Sequence, residues 1–196
     1  MIANLESLSI PTMSFEEFLE WSDEDTRAEW VNEKIEFRVF ASKSHEILKA
    51  ILCAILIFFV HKNKLGTVVN SDALMRLTTR PSGRQPDILF LQKSNSERYL
   101  KLYLNGPADL VIEIVSPESV ERDNVEKFAE YAESGVEEYW IIDPEAQIAR
   151  FFVLRNASYE EVSLKQNGFY DSAVLKGFSL PVNLLWTPDS LLDHTF

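Results

Sequence analysis

Two acidic residues fall where the sequence is otherwise apolar. Asp87 follows Pro86 and opens the run Ile88-Leu89-Phe90-Leu91, and Glu113 interrupts the nearly continuous hydrophobic stretch 109–115. Side chains alternate along a strand, so Val111, Glu113 and Val115 share one face while Leu110, Ile112 and Ile114 take the other. A carboxylate buried there is costly unless it is paired, protonated or bound to a metal. If the two strands are neighbours, the carboxylates converge. Two unit charges about 4 Å apart repel by roughly 4 kcal/mol at an effective dielectric of 20, so convergence requires a cation or a shared proton. An all-oxygen site suits Mg2+ or Mn2+. The residues also admit a plainer reading, with Asp87 a solvated strand end and Glu113 facing an arginine such as Arg84 or Arg122.

Other chemistries lack their parts. The chain has no G-x-S-x-G elbow, no Gly-rich phosphate loop and no H-E-x-x-H, and His45, His61 and His194 have no metal-ligand spacing. Its single cysteine, Cys53, sits in an apolar run, which excludes an intrachain disulfide or an all-cysteine zinc site. With 31 acidic against 19 basic residues the formal charge is -12, so any contact with phosphate has to be local. The run 50–60 falls short of the roughly 20 residues that span a bilayer, and the N-terminus lacks a basic segment followed by an apolar one. Together these point to a soluble, cytoplasmic protein with no membrane partner.

The elements that must position the acids follow from periodicity. With 196 residues and no linker or repeat, a single domain spanning 1–196 is expected. Ser14 and Glu17 form a capping box for a short helix, SFEEFLEW. Residues 42–64 carry a helical pattern that is apolar almost all round, with Gly66 as its stop. Strands are expected at 67–70, 73–77, 87–91 and 109–115, the last two central and covered on both faces. Asp123, boxed by Glu126, opens a helix whose apolar stripe is Val125, Phe128, Ala129 and Ala132, and Gly135 ends it. A strand follows at 139–142. Residues 147–154, 159–164 and 170–175 form a terminal antiparallel meander. Its aromatics, Phe151, Phe152, Tyr159, Phe169 and Tyr170, suit a core or a dimer interface better than base stacking.

The segments Ala28-Glu29-Trp30-Val31, Arg84-Gln85-Pro86-Asp87-Ile88-Leu89-Phe90, Asp109-Leu110-Val111-Ile112-Glu113-Ile114-Val115-Ser116-Pro117, Arg122-Asp123 with Lys127, and Gly135-Val136-Glu137-Glu138-Tyr139-Trp140-Ile141-Ile142-Asp143-Pro144 together resemble the Uma-two family of restriction-endonuclease-like proteins. That family sits in the PD-(D/E)XK nuclease superfamily. The resemblance covers about residues 12–155. It implies an α/β restriction-endonuclease-like core of helix, three strands, helix and strand around a mixed sheet, with the terminal antiparallel strands of 156–196 added. It also implies metal-assisted hydrolysis of a nucleic-acid phosphodiester, of DNA for preference. Asp87 and Glu113 would ligate Mg2+ or Mn2+, and Glu29 would match the upstream acid.

The chain departs from the superfamily pattern at Val115, where a lysine is expected. The resemblance implies that Lys127 has taken the lysine's place from the following helix. Its helical wheel position, about 200° from Val125, faces it away from the apolar stripe, and Arg84 is the reserve cation. After Glu29 the family's glycine turn is replaced by Asn32-Glu33-Lys34. Arg84, Gln85 and His45 are possible neighbours of the site. A basic rim of Lys43, Lys49, Arg76, Arg80, Arg84 and Lys93, doubled in a homodimer, would meet the substrate. The competing expectation is an accessory module that keeps the fold and has lost the chemistry.

Overall fold

The computed structural model describes residues 12–23, 25–38, 40–70 and 73–194. The opening element is α1 (Phe15–Trp21), capped by Ser14 and Glu17 in the reciprocal box expected of that spacing. β1 (Ala28–Val31) and β2 (Lys34–Phe37) form a hairpin, and α2 (Lys43–Asn63) follows. Next come β3 (Gly66–Asn70), β4 (Leu74–Leu77), β5 (Ser82–Arg84), β6 (Ile88–Gln92), β7 (Tyr103–Asn105) and β8 (Leu110–Ile114). A π-turn, Arg122–Glu126, leads into α3 (Lys127–Ser134). β9 (Glu138–Asp143), β10 (Ile148–Arg155), β11 (Ser158–Glu161), β12 (Phe169–Asp171) and β13 (Ser179–Pro181) complete the order.

The strands make two main sheets. The larger has the order β11-β10-β9-β8-β6-β3 and is antiparallel except for the parallel β8–β9 pair. The second has the order β2-β1-β5-β4-β7. Removing β4, β5 and β7 leaves α2, β3, β6, β8, α3 and β9, which is the helix, three strands, helix and strand expected of the core. The expected strand at 73–77 is real, but it lies in the second sheet. The expected meander stops after two strands: β10 pairs with β11, whereas β12 pairs with β13 in a separate ribbon. Tyr170, Phe151, Phe152 and Tyr159 are buried, so these aromatics pack and do not stack on bases.

Both faces of the larger sheet are covered, which is why β6 and β8 carry apolar residues without alternation. On one face Leu48, Leu52, Leu56 and Phe59 of α2 pack with Ile88, Phe90, Ile112 and Trp140, and the C-terminal segment closes over them. That segment is fastened by Glu138, fully buried, which accepts from Trp140 Nε1 (2.6 Å), Tyr170 OH (2.7 Å), Ser172 Oγ (2.9 Å) and Val174 N (2.7 Å). On the other face Leu89, Leu91, Val111 and Tyr139 meet Met75, Leu77 and Leu104 of the second sheet and Tyr131 of α3. α2 is long and apolar enough to cross a bilayer by length and composition, yet one side of it is this core. Its apolar residues are not buried all round: Ile57 and Phe58 are exposed.

Gly66 does not stop α2. Lys64, in the left-handed conformation at φ 57°, does that. Gly66 is needed because β3 runs so close to β6 that a Cβ there would drive into the Leu91 carbonyl oxygen. Gly66→Ala should therefore destabilise the fold by about 1–3 kcal/mol. Urea unfolding would show a lower midpoint with an unchanged slope.

Candidate active site

The β6–β8 register decides whether the two acids meet. Ile88 pairs with Ile112 and Phe90 with Leu110 in an antiparallel ladder, so continuing the register by one residue sets Asp87 opposite Glu113. Directly opposed residues share a face, with Cβ atoms about 4.5–5.5 Å apart. Both side chains are buried, and both lie on the side of the sheet that faces α3 and the second sheet.

Asp87 is held from three directions. Its Oδ2 accepts from the Ile114 amide (2.8 Å) and lies 3.1 Å from His45 Nε2, while its Oδ1 has only a longer contact with Arg38, at 3.4 Å. Burial opposes ionisation of Asp87, but the His45 and Ile114 bonds and the Arg38 charge outweigh it and hold its pKa below the usual carboxylate value. His45 reaches the acid because Ser42 caps α2 three residues earlier and places the first turn at the end of the sheet.

Glu113 is set differently. Lys127 Nζ and Tyr131 OH each donate to its Oε1 at 2.8 Å. Burial pushes its pKa up to about 7, because the pull of Lys127 is opposed by the negative charges of Asp123, Asp87 and Glu29. Glu29 comes from β1 in the second sheet. Its Oε1 accepts from the Gln85 amide (3.0 Å) and lies 3.5 Å from Lys127, and its Oε2 accepts from Arg84 Nη1 (3.0 Å). Burial disfavours the Glu29 charge, yet Lys127, Arg84 and Arg38 together lower its pKa.

Lys127 is buried, with Nζ also 3.5 Å from Asp123. Burial opposes its charge, but Glu113, Glu29 and Asp123 raise its pKa above the ordinary lysine value. The helical wheel, centred on Val125, put this lysine on the solvent side; the helix turns Val125 outward instead, and Lys127, on the opposite side, inward. Val125, in the widened turn at 122–126, is 60% exposed, while Asp123, Lys127, Glu130 and Tyr131 are buried. The Asp123–Glu126 capping box does not form.

The structure moves other expected residues too. Arg84 is buried and is not part of a surface rim: Nε and Nη2 both donate to Glu130 (3.0 and 2.8 Å), whose other oxygen accepts from Ser82 Oγ. Arg76 pairs with Glu16 and Arg80 with Glu133. Of the expected rim only Lys49 lines the cleft over Asp87 and Glu113, where it is joined by Arg27, Arg38 and Arg122. Asn32 and Glu33 take positive φ (49° and 64°), so the β1–β2 turn forms without the glycine. Sequence reasoning missed Arg38, Glu130, Tyr131 and the site role of Asp123. The spacing of Asp123, Lys127 and Tyr131, four residues apart each time, was the available clue that they share a helix face.

Five buried acids, Glu29, Asp87, Glu113, Asp123 and Glu130, meet two buried cations, Arg84 and Lys127, with the partly exposed Arg38 beside Asp87. Asp123 Oδ1 makes no hydrogen bond, its nearest cations being Lys127 at 3.5 Å and Arg122 at 4.0 Å. Among the described residues no three His, Cys, Asp or Glu side chains are gathered into a ready metal cage. Mg2+ keeps several waters and is held by one or two carboxylates, so the Asp87–Glu113 pair, beside an Asp123 oxygen that makes no hydrogen bond, fits such an ion.

Comparison with known proteins gives the chain a family and a fold. The family model Uma2, described as "Putative restriction endonuclease", matches residues 15–183. A solved structure described as a "putative nuclease belonging to DUF820", from Anabaena variabilis ATCC 29413, superposes with a TM-score of 0.74 at 15% identity and covers 90% of this chain and 98% of its own. That likeness establishes the restriction-endonuclease-like fold. The type IIG restriction endonuclease BpuSI matches at a TM-score of 0.40 and 12% identity over 80% of this chain and 18% of its own, too slight a likeness to carry weight. No curated protein matches.

The raised pKa of Glu113 has a sign that can be measured. Between about pH 4.5 and 7 the folded state holds a proton that the unfolded state has released, so stability falls as pH rises through that window, by up to about 3 kcal/mol. Glu113→Gln should flatten the fall in metal-free protein. Denaturant midpoints at pH 5 and pH 8 that differ equally in the variant and the wild type would assign the dependence elsewhere.

Proposed function

The chain belongs to the Uma2 restriction endonuclease family, and on that premise we propose that it is a metal-dependent nuclease that hydrolyses nucleic-acid phosphodiesters at the Asp87–Glu113 cleft. The observation that carries the reading is the buried Lys127 ammonium, 2.8 Å from Glu113, which supplies from α3 the cation that Val115 cannot. The accessory-module alternative drew its support from that missing lysine, and the inward-facing Lys127 favours the nuclease reading over it.

Each residue has a part that its contacts suit. His45 and the Ile114 amide fix Asp87 through Oδ2, leaving Oδ1 and the free oxygen of Glu113 to hold Mg2+ or Mn2+. Such an ion, when bound, polarises the phosphoryl oxygen and lowers the pKa of a bound water. Lys127 orients Glu113 and sets positive charge beside the place where the attacked phosphorus gathers negative charge. Tyr131 shares the orientation of Glu113. Glu29, held ionised by Arg84, keeps the Lys127 ammonium charged and in register, and Glu130 holds Arg84 in turn. Arg38, partly exposed at the cleft, sets a second cation near Asp87.

A plasmid-nicking assay with Mg2+ or Mn2+, run beside cleavage of a circular single strand, tests the proposal. Asp87→Asn, Glu113→Gln and Lys127→Met should each lose activity by roughly a hundredfold or more. The two carboxylate variants should also lose Mn2+ binding by calorimetry, while Lys127→Met should still bind the ion. Equal cleavage by wild type and all three variants would remove the site.

A further inference from the structure

The cleft has an aromatic lip. Phe40 is 86% exposed, the most exposed of the large apolar side chains described, and the Arg27 guanidinium lies 5.7 Å from its ring centroid. Arg27, Arg38 and Ala41 all line the acid cleft, so Phe40 stands at its mouth between residues that form its wall. Three residues earlier Phe37, 67% exposed, makes an edge contact with Trp21 (6.4 Å between ring centroids), itself 45% exposed. Large apolar rings left in water forgo the stabilisation that burial gives, so a cluster of them beside a cleft marks a contact surface.

What would cover this lip follows from the charges around it. The chain carries -12 overall, which repels a polyanion at long range, and the cations at the cleft stand among Glu46, Asp87, Glu113 and Asp123, with Lys49 and Lys127 paired to two of these acids. Arg122 lines the same cleft with a buried Nε that makes no hydrogen bond, and Arg38 reaches Asp87 only at 3.4 Å. A few arginines cannot supply the many phosphate contacts on which non-specific duplex binding relies. Stacking on an aromatic ring does not depend on charge, but it requires a base whose face is free, and paired duplex bases offer none. An arginine already seated against the ring adds its cationic face to the same platform.

We propose that Phe40 and Arg27 form a base-stacking lip beside the acid cleft, and that the substrate is single-stranded or locally unpaired nucleic acid whose phosphates meet Arg38 and Arg122. This rests on the nuclease reading above and narrows it: an unpaired base stacks on Phe40 and leads its phosphodiester into the cleft toward Asp87 and Glu113. Because the lip lies outside the buried carboxylate cluster, its part is binding, not bond-breaking.

Fluorescence anisotropy of a short labelled oligonucleotide, single-stranded and as a duplex, measured with the full chain and no divalent ion, tests the lip without relying on cleavage. The wild type should prefer the single strand. Phe40→Ala should weaken that binding by roughly five- to a hundredfold with its salt dependence unchanged, and Phe40→Trp should restore it. Arg122→Ala should instead lower the slope of log affinity against log salt by about 0.7. DNA and RNA versions of the strand show which backbone is preferred. Equal affinity of Phe40→Ala and wild type, tighter binding of duplex than of single strand, or no binding of either by the wild type would overturn the proposal. So would loss of self-association in Phe40→Ala with oligonucleotide affinity intact, which would make the patch a contact between copies of the chain. Binding that depends on Phe40 in a protein that cuts nothing would sink the nuclease reading and spare the lip. Cleavage of single strands by a Phe40→Ala protein of unchanged affinity would do the reverse.

Discussion

A single ammonium group balances the interior of this protein. Lys127 Nζ touches Glu113 of the larger sheet and approaches Glu29 of the second sheet and Asp123 of its own helix segment. Buried carboxylates from both sheets are thus tolerated because Lys127 stands among them, with Arg84 on Glu29 and Arg38 beside Asp87. Removing one partner from a buried ion cluster typically costs about 3–5 kcal/mol, since the remaining charge is left uncompensated. Among the buried groups the acids still outnumber the cations, and such a surplus is an environment that accepts a hard divalent cation.

The two sheets serve that pocket in different ways. The larger sheet supplies the acid pair through its register, because Asp87 and Glu113 oppose each other across β6 and β8. The second sheet supplies the clamp: Glu29 from β1 is pinned by the Gln85 amide, and Arg84 at the end of β5 joins it to Glu130 of α3. Positions set by a backbone ladder vary little, whereas positions set by long side chains depend on every partner in the chain of ion pairs. Fixed ligands and an adjustable cation are thus built from separate parts of the fold.

Much of this was legible in the sequence wherever the cause was local. Ser14 and Glu17 cap α1 through their own side chains, and the apolar runs of β6 and β8 announce strands covered on both faces. The burial of Asp87 and Glu113 followed from those runs. What could not be read depends on tertiary context or on a broken periodicity. β5 and β7 are three residues each and owe their strand conformation to neighbours in the second sheet. The β1–β2 turn lacks a glycine, because Asn32 and Glu33 adopt left-handed backbone instead. Arg38 carries no periodic signature, and its nearness to Asp87 arises only when the hairpin folds onto the cleft. The facing of Lys127 failed because the wheel was centred on Val125, an apolar residue that the fold leaves exposed.

The π-turn at 122–126 has one more consequence. A π-turn holds one residue more than an α-turn. A relative lacking one residue there would close the turn as ordinary α-helix and still present its lysine on the face that meets the acids. A gap of one position ahead of the lysine therefore leaves the cation in place.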